Sequence, residues 1–303
     1  MERLEELKKR LLSRCPTLEL RPDEPMAKHT TFRIGGPAAL MALPGTQAEA
    51  ETAVRTAREL DVEPFFLGNG SNLLVSDSGY PGFLIKPAGE FARIREIGST
   101  LEAGSAVLLS RLSSRALEQG LAGLEFASGI PGSVGGAVAM NAGAYGGEMA
   151  QVLEEVGFLD EEGEMRTLPA SECEFGYRRS VFSNRQYLIL RGRFHLEKGD
   201  PEAIKARVDE LTAQRKAKQP LEHPSAGSMF KRPPGHFAAA LIDQCGLKGF
   251  SVGGAQVSEK HAGFVVNRGG ASCADVLELV CQVKERVLAR TGVELEMEVR
   301  ILQ

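Results

Sequence analysis

Two clusters of small residues constrain this chain more than anything else in it. The first is GNGSN, residues 68–72. The second covers residues 127–148 and holds Gly129, Gly132, Gly135, Gly136, Gly143, Gly146 and Gly147. A residue without a Cβ takes left-handed backbone conformations and lets a ligand approach the main chain. So many glycines would weaken a helix or strand interior, so both stretches are read as shaped loops. GNGSN follows the apolar run 64–67 and precedes another, Leu73–Val75. That excludes the dinucleotide fingerprint G-x-G-x-x-G: its third glycine position is Leu73, and a strand follows instead of a helix. Consecutive N–H groups in such a bend form an anion nest, to which Ser71 and Asn72 add donors. The second stretch has no lysine or arginine, so a phosphate held there would rest on main-chain amides. Either loop alone reads as a set of tight turns. Two in one chain, both with interleaved Ser and Asn, point to a large phosphate-bearing cofactor.

The remaining chain is ordinary globular sequence. Its 303 residues are 43% hydrophobic and 25% charged, enough for two domains with real cores. The net charge of -4, the absence of Trp and only 4 Tyr argue against a nucleic-acid surface. The N-terminal segment is charged, and Leu4, Leu7, Leu11 and Leu12 recur at helical spacing, so it is an amphipathic helix without a signal-peptide apolar region. No apolar run approaches membrane-spanning length, and the five cysteines form no C-x-x-C, so a reducing cytoplasmic setting is expected. No His, Cys or carboxylate spacing suggests a metal, so none is expected.

Periodicity predicts helices over 46–60 and 105–119, the latter stopped by Gly120. Residues 156–168 read as a hairpin around Glu161-Glu162-Gly163, and 187–196 as a strand. Asp200 and Pro201 open a helix with Ile204, Val208 and Leu211 on its apolar face. Ser272 and Asp275 form a capping box for a helix ending before Gly292. The segment ELEMEVRIL alternates, with Leu295, Met297, Val299 and Ile301 on one strand face and Glu294, Glu296, Glu298 and Arg300 on the other. Helices and strands mix without βαβ regularity, which favours α+β over a doubly wound sheet.

The loops, as GNGSNLLVSD and SGIPGSVGGAVAMNAGAYGGE, closely resemble the FAD-binding loops of the bacterial UDP-N-acetylenolpyruvoylglucosamine reductases. The resemblance continues through HTTFRIGGPA, FGYRRSVF, KQPLEHPSAGSMFKRP and LIDQCGLKGFSVGGAQVSEKHAGFVVN to LEMEVRI, nearly the whole chain after the first ~25 residues. It implies an α+β fold: a two-lobed FAD-binding domain of the FAD-linked oxidase type (1–88 and 89–197) and a smaller substrate-binding domain (198–303). The last strand, about 294–302, would return toward the flavin site. It implies bound FAD, NADPH as co-substrate, and reduction of UDP-N-acetylglucosamine enolpyruvate to UDP-N-acetylmuramate for the cell wall. No nucleic acid, membrane or obligate protein partner is expected.

Carried onto this sequence, the family's cofactor contacts fall on Gly68, Asn69, Gly70, Ser71, Asn72, Ser128, Gly129, Pro131, Gly132, Gly135, Gly136, Asn141, Ala142, Gly143, Ala144, Tyr145, Gly146 and Arg178. Substrate contacts fall on Tyr177, Lys218, Gly227, Lys231, Arg232, Lys248 and His261. Ser228 matches the family's proton donor, Arg178 the arginine that stabilises the enolate, and Glu298 the third catalytic residue. Addition of hydride to an enolpyruvyl ether pushes charge onto its carboxylate, which calls for fixed donors and a positioned acid. A guanidinium holds a carboxylate bidentately. On a strand Arg178 and Arg179 would face opposite ways, and the resemblance selects Arg178. Lys216, Lys218, Lys231, Arg232 and Lys248 supply local positive charge suited to the diphosphate. Two features depart from the commonest pattern. FKRP stands where FKNP is usual, placing Arg232 at an amide position. The segment between Arg178 and Lys218 is too short for the tyrosine loop of longer members, which implies the shorter subtype. The rival readings are another FAD-linked oxidoreductase, which would lack the Ser228, Arg178 and Glu298 set, and a flavin- or nucleotide-binding module without turnover.

Overall fold

The computed structural model describes residues 2–303. The chain divides into two compact units, each assembled from three segments. Unit 1 comprises residues up to Asp23, Ala39–Asn69 and Gly82–Ala213; unit 2 comprises Glu24–Ala38, Gly70–Pro81 and Gln214–Gln303. The boundary cuts GNGSN between Asn69 and Gly70.

Unit 1 is built around two larger sheets. The first has the order Glu19–Pro25, Pro37–Leu43, Tyr80–Ile85, Pro64–Phe66, the last pair being parallel. Helices Glu2–Arg14 and Gln47–Glu59 share its core: Leu7 and Leu11 of one and Ala50, Val54 and Ala57 of the other are buried with Leu40, Phe83 and Ile85. The N-terminal amphipathic helix is therefore part of the core. Thr46 caps the second helix by accepting from the Glu49 amide. The second sheet is antiparallel, ordered Met165–Pro169, Leu153–Leu159, Leu188–His195, Thr100–Gly104, Ile94–Ile97. Its apolar face (Leu101, Ala103, Val156, Phe194) packs on helices Leu109–Glu118 and Val134–Ala139. Leu153–Leu159 and Met165–Pro169 form the expected hairpin. In its turn Asp160 accepts from the Glu162 and Glu164 amides and Gly163 has φ +73°.

Unit 2 is built on a four-stranded antiparallel sheet, ordered Ser225–Ser228, Phe264–Asn267, Ala255–Val257, Ser251–Val252. Helices Ala238–Gln244 and Cys273–Thr291 bury Leu241, Val276, Leu279 and Val283 together with Val257 and Val265. The Ser272–Asp275 capping box forms in both directions, and Gly292 ends the helix at φ +72°. Asp77 completes that terminus, its carboxylate accepting from the Cys273 and Ala274 amides at 2.7 and 3.0 Å.

Two sequence expectations need correction. The helix expected from residue 105 starts at Leu109, because residues 105–108 bond elsewhere: the Ser105 amide donates to Leu190 O, and Ser105 O and Val107 O accept from the Gly135 and Val134 amides. The C-terminal alternation holds from Leu295 to Val299 only. The laddered strand is Arg300–Leu302, paired in parallel with Leu73–Val75, so Leu302 is buried and Ile301 is exposed.

Candidate active site

Unit 1 brings the head of GNGSN against the second glycine loop. The Asn69 side-chain amide donates to Pro131 O at 2.6 Å. A Cβ on Gly68 would sit 2.8 Å from Ser133 Oγ, and one on Gly135 would sit 2.9 Å from Ser105 Cβ. The two segments touch at both positions, so a side chain at either would force its neighbour to move. The second loop then runs through the short helix Val134–Ala139 into a hairpin of Gly143–Ala144 with Gly147–Glu148. Tyr145 and Gly146 form its two-residue turn at φ +54° and +87°, the left-handed pair of a type I′ turn. Asn141, also left-handed at φ +44° and buried, is the clamp of this loop. Its Oδ1 accepts from the Ala150 amide at 3.0 Å and its Nδ2 donates to Gly176 O at 3.2 Å.

The second of these bonds reaches the turn that carries Arg178. Gly176 and Arg179 bond each other's main chain in both directions, with Tyr177 and Arg178 at the turn. The expectation that Arg178 and Arg179 lie on a strand is thus wrong; the turn, not strand alternation, separates them. Arg178 has φ +56°, lies 5.2 Å from the Tyr177 ring centroid and donates to Gly143 O at 3.4 Å. The arginine and the glycine hairpin form one connected piece.

In unit 2 a bulge sets the position of Ser228. The register passes from Ser225↔Val266 to Ser228↔Phe264, with Gly227 at φ +77° inside the irregularity. Such a bulge re-aims the side chain that follows it, and Ser228 is exposed. The chain then pairs with the C-terminal segment. Met229 O accepts from the Glu298 amide at 2.9 Å, Phe230 bridges Met297, and the Lys231 amide donates to Glu296 O. That pairing sets the strand that ends at Ser228 beside the segment that carries Glu298. The tail of GNGSN holds the same segment. Asn72 Nδ2 donates to Glu298 O at 3.0 Å, and Asn72 O accepts from the Arg300 amide at 3.1 Å. Gly70, at φ +60°, leaves no room for a Cβ, which would lie 2.0 Å from His29 O; Ser71 is half-buried.

The residues expected at the substrate are placed less uniformly. Lys231 is ion-paired with Glu296, and Lys248 with Asp243 at 2.8 Å, so two of the basic residues have carboxylate partners. Lys218 is exposed at the end of helix Pro201–Lys218. The guanidinium of Arg232 lies 4.0 Å over the Phe237 ring. His261 is half-buried, edge-on to Phe264, and its Nδ1 accepts from the Gly263 amide. Burial, helped by the charge of Lys248, lowers its pKa against the opposing effect of a backbone hydrogen bond. Between Arg178 and Lys218 the chain is occupied by strand Leu188–His195 and the following helix, and no inserted loop occurs among the described residues.

Comparison with known proteins decides the family. Residues 219–302 match the C-terminal domain of UDP-N-acetylenolpyruvoylglucosamine reductase, and residues 38–169 match an FAD binding domain. The reductase of Clostridium perfringens (strain SM101 / Type A) is 48% identical over 280 residues, covering 92% of each chain. The chain belongs to the UDP-N-acetylenolpyruvoylglucosamine reductase family. The family's protein from Alkaliphilus oremlandii is also 48% identical at the same coverage. The crystal structure of the reductase from Thermus caldophilus superposes with a TM-score of 0.81 at 39% identity, covering 94% of this chain and 99% of that one.

The loops of this family member fit a phosphate-bearing cofactor on their own geometry. Among the described residues, three buried side-chain polar atoms have no protein partner: Ser105 Oγ, Ser133 Oγ and Arg193 Nε. Native buried polar groups are nearly always bonded. Two of these three adjoin residues 132–136, where Cβ-free backbone and the lack of cationic side chains suit a diphosphate. Neither serine was expected from sequence. Ser133 stood among the predicted contacts at Gly132 and Gly135, and its place before helix Val134–Ala139 was the available signal. Ser105 carried none, because its role depends on pairing with residues far along the chain. No group of three His, Cys, Asp or Glu residues able to hold a metal occurs among the described residues.

Proposed function

We propose that this chain is an FAD-dependent oxidoreductase that uses NADPH to reduce UDP-N-acetylglucosamine enolpyruvate to UDP-N-acetylmuramate in peptidoglycan synthesis. The observation that carries the reading is the pairing of the Ser228 strand with the Glu298 segment in a member of this family. FAD, when bound, would supply the two-electron hydride-transfer chemistry that links NADPH to the enolpyruvyl group. GNGSN and residues 128–146 would hold it, with Ser105 and Ser133 added to the donors.

The protein's own part is electrostatics and proton transfer. Arg178 binds the substrate carboxylate and stabilises the charge that develops there. Its left-handed turn and its bond to Gly143 O fix the guanidinium in advance. Ser228 delivers the proton, and Glu298 polarises the intermediate beside it. A serine hydroxyl is a weak acid, so its use depends on neighbours that stabilise the alkoxide. The domain reading is two flavin lobes, 1–88 and 89–197, followed by a substrate domain, 198–303. No helix of the described residues is long and apolar enough to cross a membrane, and the reading places the enzyme in the cytoplasm.

Single-turnover reoxidation of NADPH-reduced protein by the enolpyruvyl sugar tests this. Ser228→Ala should slow reoxidation by about a hundredfold or more while leaving reduction by NADPH unchanged. Wild-type reoxidation in Ser228→Ala would remove the acid role. Failure of the wild type to respond to the sugar would remove the activity.

A further inference from the structure

One threonine in unit 2 donates in two directions, toward GNGSN and toward the strand that ends at Ser228. The Thr31 amide donates to Gly70 O at 3.2 Å, and its hydroxyl donates to Ser225 O at 2.7 Å. Gly70, Thr31 and Ser225 are far apart in sequence, but all three belong to unit 2. The turn that carries Thr31 is itself held. The buried Thr30 donates from its hydroxyl to Ile34 O at 3.1 Å and accepts at its carbonyl from the Arg33 amide, and Phe32 is fully buried. On its other side His29 O rests against Gly70, where an added Cβ would meet it at 2.0 Å.

The hydroxyl bond falls where the strand meets the open side of its sheet. Ser225–Ser228 is an edge strand. Along an antiparallel pair, successive residues turn their main-chain groups alternately toward the partner and away from it. Pro224 O takes the ladder bond from the Asn267 amide, so Ser225 O faces the open edge, and there Thr31 meets it. The bulge follows at once: the register shifts between Ser225 and Ser228, with Gly227 left-handed. A bulge disrupts the ladder locally, so the direction of Ser228 depends on what fixes the strand before it. Asn72, two residues past Gly70, donates to Glu298 O at 3.0 Å. Residues 70–72 are thus bonded to the Glu298 segment directly and to the Ser228 strand through Thr31.

We infer that Thr31 is a positioning residue for the proton transfer: its hydroxyl holds the entry to the bulge so that Ser228 keeps its aim, and its amide ties that entry to GNGSN. This role rests on the function proposed above. Thr31 acts through Ser225 and Ser228, not on the substrate.

The test uses the FAD-loaded protein, reduced by NADPH and reoxidised by the enolpyruvyl sugar in single turnover. Thr31→Val keeps the branched shape and the amide bond and removes the hydroxyl. It should slow reoxidation about tenfold, the loss expected for one hydrogen bond that orients an acid. Reduction by NADPH and half-saturation by the sugar should each stay within about twofold of wild type. Thr31→Ser, which restores the donor, should bring reoxidation back to within about threefold. In a Ser228→Ala background Thr31→Val should cost nothing further, because both changes act through one hydroxyl. In the cofactor-free protein, Thr31→Val should speed amide exchange at residues 226–229 about tenfold and leave residues 255–257 unchanged. Unchanged reoxidation or unchanged exchange in Thr31→Val would overturn the proposal. So would equal slowing of both half-reactions, which marks general loosening, or a further loss of similar size on top of Ser228→Ala. A wild type that is reduced by NADPH but ignores the sugar would remove the activity itself, and this role with it.

Discussion

Arg178 shows what a single residue contributes here. A non-glycine backbone at φ +56° costs on the order of 1–3 kcal/mol. The cost is offset by the paired main-chain bonds of the Gly176–Arg179 turn and by Asn141, which anchors Gly176 O. The resemblance pointed to this arginine, but strand alternation was the wrong geometry for it. Nothing local in FGYRRSVF announces a left-handed turn, because the bonds that hold it come from Asn141 and Gly143. His261 offers a cleaner test at this scale. Its pKa lies below the ordinary value of 6.5, so as pH falls the unfolded chain takes up a proton there before the folded chain does. Its contribution to stability is therefore intact above about pH 6.5 and declines as pH falls below it. Protonation would also remove the acceptor that Nδ1 offers Gly263. In urea titrations from about pH 7 to about pH 5, His261→Gln should flatten the fall in midpoint. A slope identical to wild type would show that this imidazole does not titrate against folding.

At the scale of elements, the two glycine loops differ in why they need glycine. Gly70 is left-handed and packed against His29 O, whereas Gly146 is left-handed with no atom within 4 Å of an added Cβ. Gly70→Ala should cost on the order of 3 kcal/mol or more, and Gly146→Ala only about 1 kcal/mol from backbone strain. Urea denaturation of the cofactor-free protein measures both, and equal losses would contradict the packing at Gly70. Elements governed by local rules were legible. The hairpin around Gly163, the capped helix Cys273–Thr291 and the helix opened by Asp200 and Pro201 all follow from side chains within a few positions. Residues 105–108 were not legible, because their backbone partners Leu190, Val134 and Gly135 lie far along the sequence. The C-terminal segment misled for a related reason: its partner changes from residues 229–231 to 73–75, and the alternation breaks there.

For the molecule as a whole, cofactor binding is a stability term. FAD at about a hundred times its dissociation constant adds about 2.7 kcal/mol, which for a chain of this size should raise Tm by roughly 4 °C. Scanning calorimetry with and without FAD measures it, and an unmoved Tm would mean that the glycine loops do not grip the flavin. The fold class was readable in advance: mixed elements without βαβ regularity favoured α+β, and the five-stranded sheet of unit 1 and the four-stranded sheet of unit 2 are antiparallel. The discontinuous units were not, because no linker composition marks where the chain leaves one and enters the other.

The ladder between Leu73–Val75 and Arg300–Leu302 has a consequence for biosynthesis. During translation the earlier strand emerges with its hydrogen-bonding edge unanswered until some 225 further residues have followed it. Until then the main-chain groups of this tripeptide can bond only to water or to transient partners, so closing this ladder is a late, long-range event.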